Sequence, residues 1–294
     1  MITKLIPKTA KSWLKTKIRD IVYSGKFPIA GLKYIPYQYG SDSFLIPKSP
    51  EPKCETCSSG LPIPPQSLWL GYASTTEGYL SGGKEHVSTM LELVKASGFS
   101  FTKDNRILDL GCGAGRMIRH LKHLSESCEV WGTDISAEHI YWCKQHLSPP
   151  FHFATTTTMP HLPFEDRYFN LIYCGSVFTH IDDLAEAWLL ELRRILSPNG
   201  RAYLTIHDNH TIELFDRPDQ DHSLGKRMKD NDLYNKSKNS LGMLAIGRDV
   251  QSLIFYDIDY FCKTLSSMYE ILSVTPEGHG YQTAILVRRK GSIQ

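Results

Sequence analysis

The chain has 294 residues, which is enough to bury a large core and favours one domain with appendages over two equal domains. Its 41% hydrophobic and 22% charged residues are ordinary for a soluble globular protein, and its formal net charge of +2 gives no overall reason to expect nucleic acid. No apolar run approaches the roughly 18 residues of a membrane-spanning helix, and the start lacks the apolar region of a signal peptide.

The first 40 residues are basic, with eight Lys and Arg against one Asp. Within them, residues 9–24 make a short amphipathic pattern in which Trp13, Leu14 and Ile18 share one face. We favour a helix that packs this face onto its own domain. Peripheral membrane contact and docking on a partner are the alternatives.

Residues 25–66 are rich in Pro, Gly, Ser and Tyr, so we predict an irregular extension over 1–66 and a folded domain over 67–294. Cys54 and Cys57 make half of a zinc signature, but no second pair follows, and we predict no metal site. The seven cysteines are odd in number and scattered, which favours reduced thiols and a cytoplasmic protein.

Strands and helices are predicted to alternate through the domain, which indicates an α/β fold with a doubly wound, mostly parallel sheet. The predicted strands cover 106–111, 130–135, 151–155, 169–174, 201–207, 269–275 and 283–289. The predicted helices cover 115–124, 137–147, 183–196 and 257–267. The charged stretch 208–250 does not fit the alternation. It is predicted to be a lid or substrate insertion at the crevice mouth, with a solvated surface excursion as the alternative.

The most informative stretch is RILDLGCGAGR at 106–116, followed by VWGTDIS at 130–136. The strand-to-helix turn with glycines at 111, 113 and 115 lets a ligand approach the main chain, and Asp134 is placed to accept hydrogen bonds from a ribose. A dinucleotide site would have Gly or Ala where Arg116 stands. The Asp109 carboxylate also suits the cationic end of S-adenosylmethionine better than a diphosphate.

These residues resemble the first motif of class I S-adenosylmethionine-dependent methyltransferases, which is an acid, one residue, then Gly-x-Gly-x-Gly. The resemblance covers roughly 67–207 and 255–290. It implies a seven-stranded sheet whose last strand runs antiparallel between the fifth and sixth. It also implies S-adenosylmethionine as the cofactor, with contacts from Asp109, Gly111, Cys112, Gly113, Gly115, Asp134 and Ile135.

The resemblance implies two further contacts. Many relatives have an acid after the third strand that binds the adenine amino group, but this chain has only threonines there, so Thr157 or Thr158 would supply a hydroxyl or main-chain contact. Cys174 ends the fourth strand, where main chain commonly lines the methyl-transfer channel. Tyr72 and Tyr79 are predicted either to cover the cofactor or to pack in the core.

His180 and His207 are the candidate catalytic residues, because each follows a strand end at the crevice and an imidazole can act as a base near neutral pH. Structural histidines, with catalysis by alignment alone, are the alternative. A metal held by His207, Asp208 and His210 is disfavoured because a strand sends neighbouring side chains to opposite faces.

The expected activity is methylation of an oxygen or nitrogen of a small-molecule or sugar-like acceptor. A non-catalytic cofactor-binding or partner-binding protein of the same fold is one alternative. The other is a nucleic-acid or protein methyltransferase that uses the basic arm 1–40, although no attached nucleic-acid module is evident.

Overall fold

The computed structural model describes residues 55–217, 222–247 and 252–291. The amphipathic segment 9–24, the rest of the basic arm 1–40 and Cys54 lie outside these residues. The predicted packing of segment 9–24 onto its own domain, and the alternatives of membrane or partner contact, therefore stay predictions. Within the described parts of the chain, no helix combines the length and hydropathy that crossing a membrane requires.

Seven strands form a single mixed sheet in the order β3-β2-β1-β4-β5-β9-β8, and a separate two-stranded sheet pairs β6 with β7. All strands of the large sheet run parallel except β9, which is antiparallel to both β5 and β8. The predicted fold class is confirmed. The strands are β1 (Arg106–Leu110), β2 (Glu129–Asp134), β3 (His152–Thr155), β4 (Phe169–Cys174), β5 (Leu196–Ile206), β6 (Met243–Ile246), β7 (Leu253–Tyr256), β8 (Tyr269–His279) and β9 (Gln282–Arg289).

Helices cover both faces of the sheet. In chain order they are α1 (Thr76–Ala96), α2 (Ala137–His146), α3 (Ala185–Ile195), α4 (Asn209–Asp216), α5 (Ser223–Lys229), α6 (Asp232–Ser237) and α7 (Ile258–Ser266). Neighbouring residues of β1 face opposite sides, so Ile107 packs in one apolar cluster with α1 and α2, and Leu108 packs in another with α3 and α7. The sheet is therefore the middle of three layers.

The predicted helix at 115–124 is wrong. Only a short 3-10 helix, Ile118–Leu121, forms there, with turns on either side. The carbonyl of Gly115 accepts a hydrogen bond from Nε of the Arg119 side chain at 3.0 Å, and the backbone N–H of Arg119 lies farther away at 3.4 Å. A side chain thus competes for the carbonyl that a first helical turn would use, and the left-handed Gly115 precedes it.

The insertion 208–250 folds where it is described. Three short helices and the β6–β7 hairpin enclose a small apolar cluster of Ile212, Phe215, Met228, Tyr234, Leu244, Leu253 and Phe255. A purely solvated excursion would lack such a cluster. The hairpin is attached to the main sheet because the Tyr256 N–H donates to the His207 carbonyl at 2.9 Å, directly after β5.

Candidate functional site

The three glycines of the turn after β1 have different physical reasons to be glycine. All three adopt positive φ, at 76° for Gly111, 51° for Gly113 and 78° for Gly115. A Cβ on Gly111 or Gly115 would lie 2.5 Å from a methyl carbon of the protein itself, whereas one on Gly113 would meet only Leu70, at 3.4 Å. Two glycines are thus required by internal packing, and Gly113 is the one with room beside it.

Asp134 ties this turn to the end of β2. Its Oδ2 accepts a hydrogen bond from the Gly113 N–H at 2.8 Å, and its Oδ1 accepts one from the Ser136 N–H at 2.7 Å. Each carboxylate oxygen has a second lone pair, so the side chain retains the capacity to accept from a diol. Ile135 follows it and is 45% exposed, which leaves an apolar surface beside the carboxylate.

Asp109 is a buried acid with no counter-ion in ion-pair contact among the residues that the structure describes. It is 2% exposed, and among the described residues its Oδ2 has no hydrogen-bond partner. Burial raises the pKa of Asp109 to about 7, while the neighbouring Tyr173 hydroxyl and the Arg116 charge oppose the rise. A carboxylate oxygen in this state fits a ligand that brings a cationic or hydrogen-bond-donating group, such as an ammonium.

The turn after β4 is held by a buried hydrogen-bond network. Ser176 adopts a φ of 60°, which is unusual for a residue with a side chain and costs about 1–3 kcal/mol. Its N–H donates to Thr205 Oγ1 at 2.7 Å, and its Oγ accepts from Gln282 Nε2 at 2.8 Å. The Thr205 hydroxyl in turn donates to Gln282 Oε1 at 2.7 Å. Residues of β5 and β9 therefore fix the main chain that follows Cys174.

The two predicted catalytic histidines both hydrogen-bond the segment that follows the insertion, at Ser252 and in β7. His180 donates from Nδ1 to the Ser252 carbonyl at 2.7 Å and is exposed. His207 donates from Nδ1 to the Ile254 carbonyl at 3.2 Å, is 2% exposed, and stacks on the Tyr281 ring. Burial lowers the pKa of His207 to about 3, and the nearby His180 adds to that shift. In the neutral His207 ring the lone pair is then on Nε2.

The remaining predicted residues differ in what they can offer a ligand. Cys112 and Cys174 are buried with their thiols in the interior, so only their main chain is available to a crevice. Thr157 and Thr158 are exposed after β3, and the Thr158 carbonyl accepts from Trp188 Nε1 at 3.2 Å. Tyr79 is in the core, stacked on Trp69, whereas Tyr72 is 42% exposed.

Three polar residues near the turn carried no functional signal in the sequence. The Arg116 guanidinium lies 3.9 Å from the centre of the Tyr72 ring and donates from Nη2 to His86 Nδ1 at 3.1 Å. The His86 ring packs on His279 with centroids 3.7 Å apart, and His279 touches Gly175. These contacts join residues from α1, the glycine turn and the end of β8, which are far apart in the chain.

The polar groups thus converge at the carboxyl ends of β1, β2 and β4, where open α/β sheets bind ligands. A cavity of about 490 Å³ lies at the opposite edge, lined by residues that include Asn105, Asn170 and Arg201. The Arg201 guanidinium there is already bonded to Ser97 and to main-chain carbonyls. That cavity offers no comparable unpaired group, so the carboxyl edge is the candidate site.

The fold and the glycine turn define a Rossmann-like nucleoside-binding domain. Residues 108–204 match the family model described as a methyltransferase domain. A solved S-adenosylmethionine-dependent methyltransferase from Clostridium acetobutylicum shares the fold, with a TM-score of 0.52 and 16% identity over 71% of this chain and 92% of that one. The matched stretch, about a third of the chain, and the shared fold support a class I S-adenosylmethionine-dependent methyltransferase.

Two curated relatives match in sequence over part of their length. A malonyl-[acyl-carrier protein] O-methyltransferase from Hahella chejuensis is 26% identical over 129 residues, which are 44% of each chain. A sterol 24-C-methyltransferase from Schizosaccharomyces pombe is 32% identical over 101 residues, which are 33% of this chain and 26% of that one. The chain thus spans less than half the length of these curated relatives.

Proposed function

We propose that this protein transfers the methyl group of S-adenosylmethionine to an oxygen or nitrogen of a small-molecule acceptor. The observation that carries the proposal is the buried Asp109 carboxyl, whose Oδ2 has no hydrogen-bond partner among the described residues, beside a glycine turn that Asp134 holds in place. A site of this kind suits a ligand with an ammonium at one end and a ribose at the other.

The cofactor supplies an electrophilic methyl group on a sulfonium with a good leaving group. Asp109 would accept from its amino group, and Asp134 from its ribose. Ile135 would pack against the adenine, with Thr157 or Thr158 near the adenine amino group. Gly111, Cys112, Gly113 and Gly115 would contribute main chain at the turn, and Cys174 would contribute main chain at the end of β4.

The chain's main contribution to catalysis would be alignment and exclusion of water. The network of Ser176, Thr205 and Gln282 supports this because it leaves the post-β4 turn little freedom. Where the acceptor must lose a proton, His180 is the better placed base. The low pKa of His207 makes it a weak proton acceptor at neutral pH, so we assign it the role of anchoring the insertion.

The insertion 208–250 is the proposed acceptor-side element, because its strand β6 pairs with β7, and Ser252 and Ile254 at the start of β7 bond the two histidines. The names of the two curated relatives describe methylation of an acyl-carrier-bound malonyl group and of a sterol, which supports a metabolite or lipid acceptor over a polymer. The six cysteines within the described residues are all free, which supports the cytoplasm as its location.

Calorimetry with S-adenosylhomocysteine tests the cofactor site. The wild type should bind, and Asp134→Ala should bind at least about tenfold more weakly, because hydrogen bonds to a carboxylate are each worth about 1.5–3 kcal/mol. Asp182→Ala, in another loop of the same edge, is the control. Equal affinity for wild type and Asp134→Ala would contradict the assignment of the ribose contact.

Labelled S-adenosylmethionine incubated with fractionated extract tests the acceptor class. Label in the small-molecule fraction supports the proposal. Label only in RNA, DNA or protein would support the basic-arm alternative, particularly if it falls steeply with added salt. Cofactor binding with no labelled product in any fraction would support the non-catalytic alternative.

A further inference from the structure

Arg116 is a buried cation for which the described part of the chain offers no carboxylate partner. The residue is 7% exposed. Among residues 55–217, 222–247 and 252–291, no carboxylate lies within ion-pair distance of its guanidinium. Its one hydrogen bond within that part of the chain goes to His86. A buried charge is stabilised by an opposite charge or by several hydrogen bonds, and within the described residues this guanidinium has donors without a protein acceptor.

Two neighbours hold the guanidinium in a fixed orientation. Its plane lies over the Tyr72 ring at 3.9 Å, and His86 Nδ1 accepts from Nη2 at 3.1 Å. Since His86 accepts at Nδ1, its proton is on Nε2, and the ring is neutral. Burial and then the Arg116 charge lower the pKa of His86 to about 3, in agreement with that state.

The surroundings of Arg116 add donors but no negative charge in direct contact. His279 stacks on His86 and is 3% exposed, and both of its ring nitrogens have no partner among the described residues. Burial, His86 and Arg116 lower the pKa of His279 well below its usual value, so this ring is neutral as well. Arg116 is the one charged side chain among these direct contacts, so the group as a whole is suited to an anion.

Arg116 also lies next to the proposed cofactor turn. It follows Gly115 directly, and its charge is close enough to Asp109 to lower the pKa of that acid. Leu70, two residues before Tyr72, lies over Gly113 at the mouth of the turn. An anion at Arg116 and a cation at Asp109 would therefore be neighbours.

We propose that Arg116 is a carboxylate-binding residue of the crevice and that Tyr72 and His86 are its positioning residues. The planar guanidinium fork matches a carboxylate in a two-bond arrangement, which a lysine could not reproduce. The carboxylate comes either from the amino-acid end of S-adenosylmethionine or from the methyl acceptor. This inference rests on the proposed function, and the experiment separates the two sources.

The first arm measures binding of two ligands that differ only in the carboxylate, S-adenosylhomocysteine and its decarboxylated analogue. If the carboxylate is the cofactor's, Arg116→Gln weakens S-adenosylhomocysteine by about 10- to 100-fold and leaves the analogue unchanged. His86→Ala should show the same ligand selectivity with a smaller loss. A general loss of structure would weaken both ligands equally.

The second arm titrates acetate, malonate and succinate into protein saturated with S-adenosylhomocysteine. If the carboxylate is the acceptor's, one or more of these anions bind the wild type and not Arg116→Gln, and both nucleoside ligands bind the two proteins alike. Arg116→Lys keeps the charge in case Arg116→Gln does not fold. It should retain part of the carboxylate selectivity.

Arg106→Gln is the matched control, because Arg106 also lies over a tyrosine, Tyr168, but at the opposite edge of the sheet and paired with Glu129. It should leave every affinity unchanged. The inference is overturned if S-adenosylhomocysteine binds wild type and Arg116→Gln equally and no carboxylate binds. If the wild type binds neither nucleoside ligand, the proposed function itself fails.

Discussion

Binding of S-adenosylhomocysteine should release a proton from Asp109 at mildly acidic pH. Burial raises the pKa of Asp109 to about 7, so about 0.9 of this side chain is protonated at pH 6 and about 0.1 at pH 8. An ammonium placed beside the carboxyl favours its ionised form and lowers its pKa. The released fraction should therefore be about 0.9 proton at pH 6, about 0.5 at pH 7 and about 0.1 at pH 8.

Calorimetry in buffers of different ionisation enthalpy measures this release directly. Asp109→Asn is the control, since the amide keeps the size of the side chain and has no proton to lose. It should bind with no proton release attributable to this position. Release that rises between pH 6 and pH 8, or that is unchanged in Asp109→Asn, would refute the assignment of the ammonium to Asp109.

The same group makes a prediction about stability without ligand. The folded pKa of Asp109 lies above its ordinary value of 3.8, so the native state holds this proton more tightly than the unfolded chain. The contribution of Asp109 to the free energy of unfolding is greatest below about pH 4. It falls by about 4 kcal/mol in total as the pH rises to about 7. In urea at pH 8, Asp109→Asn should therefore be more stable than the wild type, and the difference should shrink at pH 5.

Three further perturbations test the site's geometry. Gly115→Ala places a methyl 2.5 Å from a leucine carbon at a φ of 78°, so urea titration should show a free energy of unfolding lower by about 2–4 kcal/mol. Gly113→Ala should keep most of the stability and lose affinity for S-adenosylhomocysteine in calorimetry. Gln282→Ala removes a hydrogen-bond partner from the buried hydroxyls of Ser176 and Thr205. It should lower stability by about 1–3 kcal/mol and reduce turnover more than cofactor affinity. His180→Ala should slow turnover across the pH range without changing S-adenosylhomocysteine affinity. His207→Asn should mainly lower the melting temperature. The reverse pattern in activity assays and thermal scans would contradict the two roles.

The fold was predictable because its signals are local and repeated. The strand ends at Asp134 and Cys174 follow from buried apolar runs, and the closing hairpin follows from its turn residues. The helix predicted at 115–124 does not form, and the Arg119 side chain there bonds the Gly115 carbonyl that a first helical turn would use. Helical periodicity does not reveal such a bond, because the apolar spacing is unchanged by it.

The site was predictable only where it is contiguous in the chain. Asp109 and the glycines form one motif, and Asp134 follows a strand end. Arg116 and His86 meet only because α1 packs beside the turn, a contact between residues 30 positions apart. Gln282 reaches Ser176 across 106 positions, and no spacing rule connects an amide with a serine at that distance.

The tip of the last hairpin has a consequence for how the protein can change. Within four residues, His279 packs on Gly175, Tyr281 stacks on His207, and Gln282 bonds Ser176. One short segment therefore contacts both the turn after β4 and His207, the residue that bonds β7 beside the insertion. Under the proposed function, a substitution in this segment that alters the acceptor side would also disturb the turn after β4, so selectivity and rate would be linked there. Changes confined to α5 or α6 would escape that link.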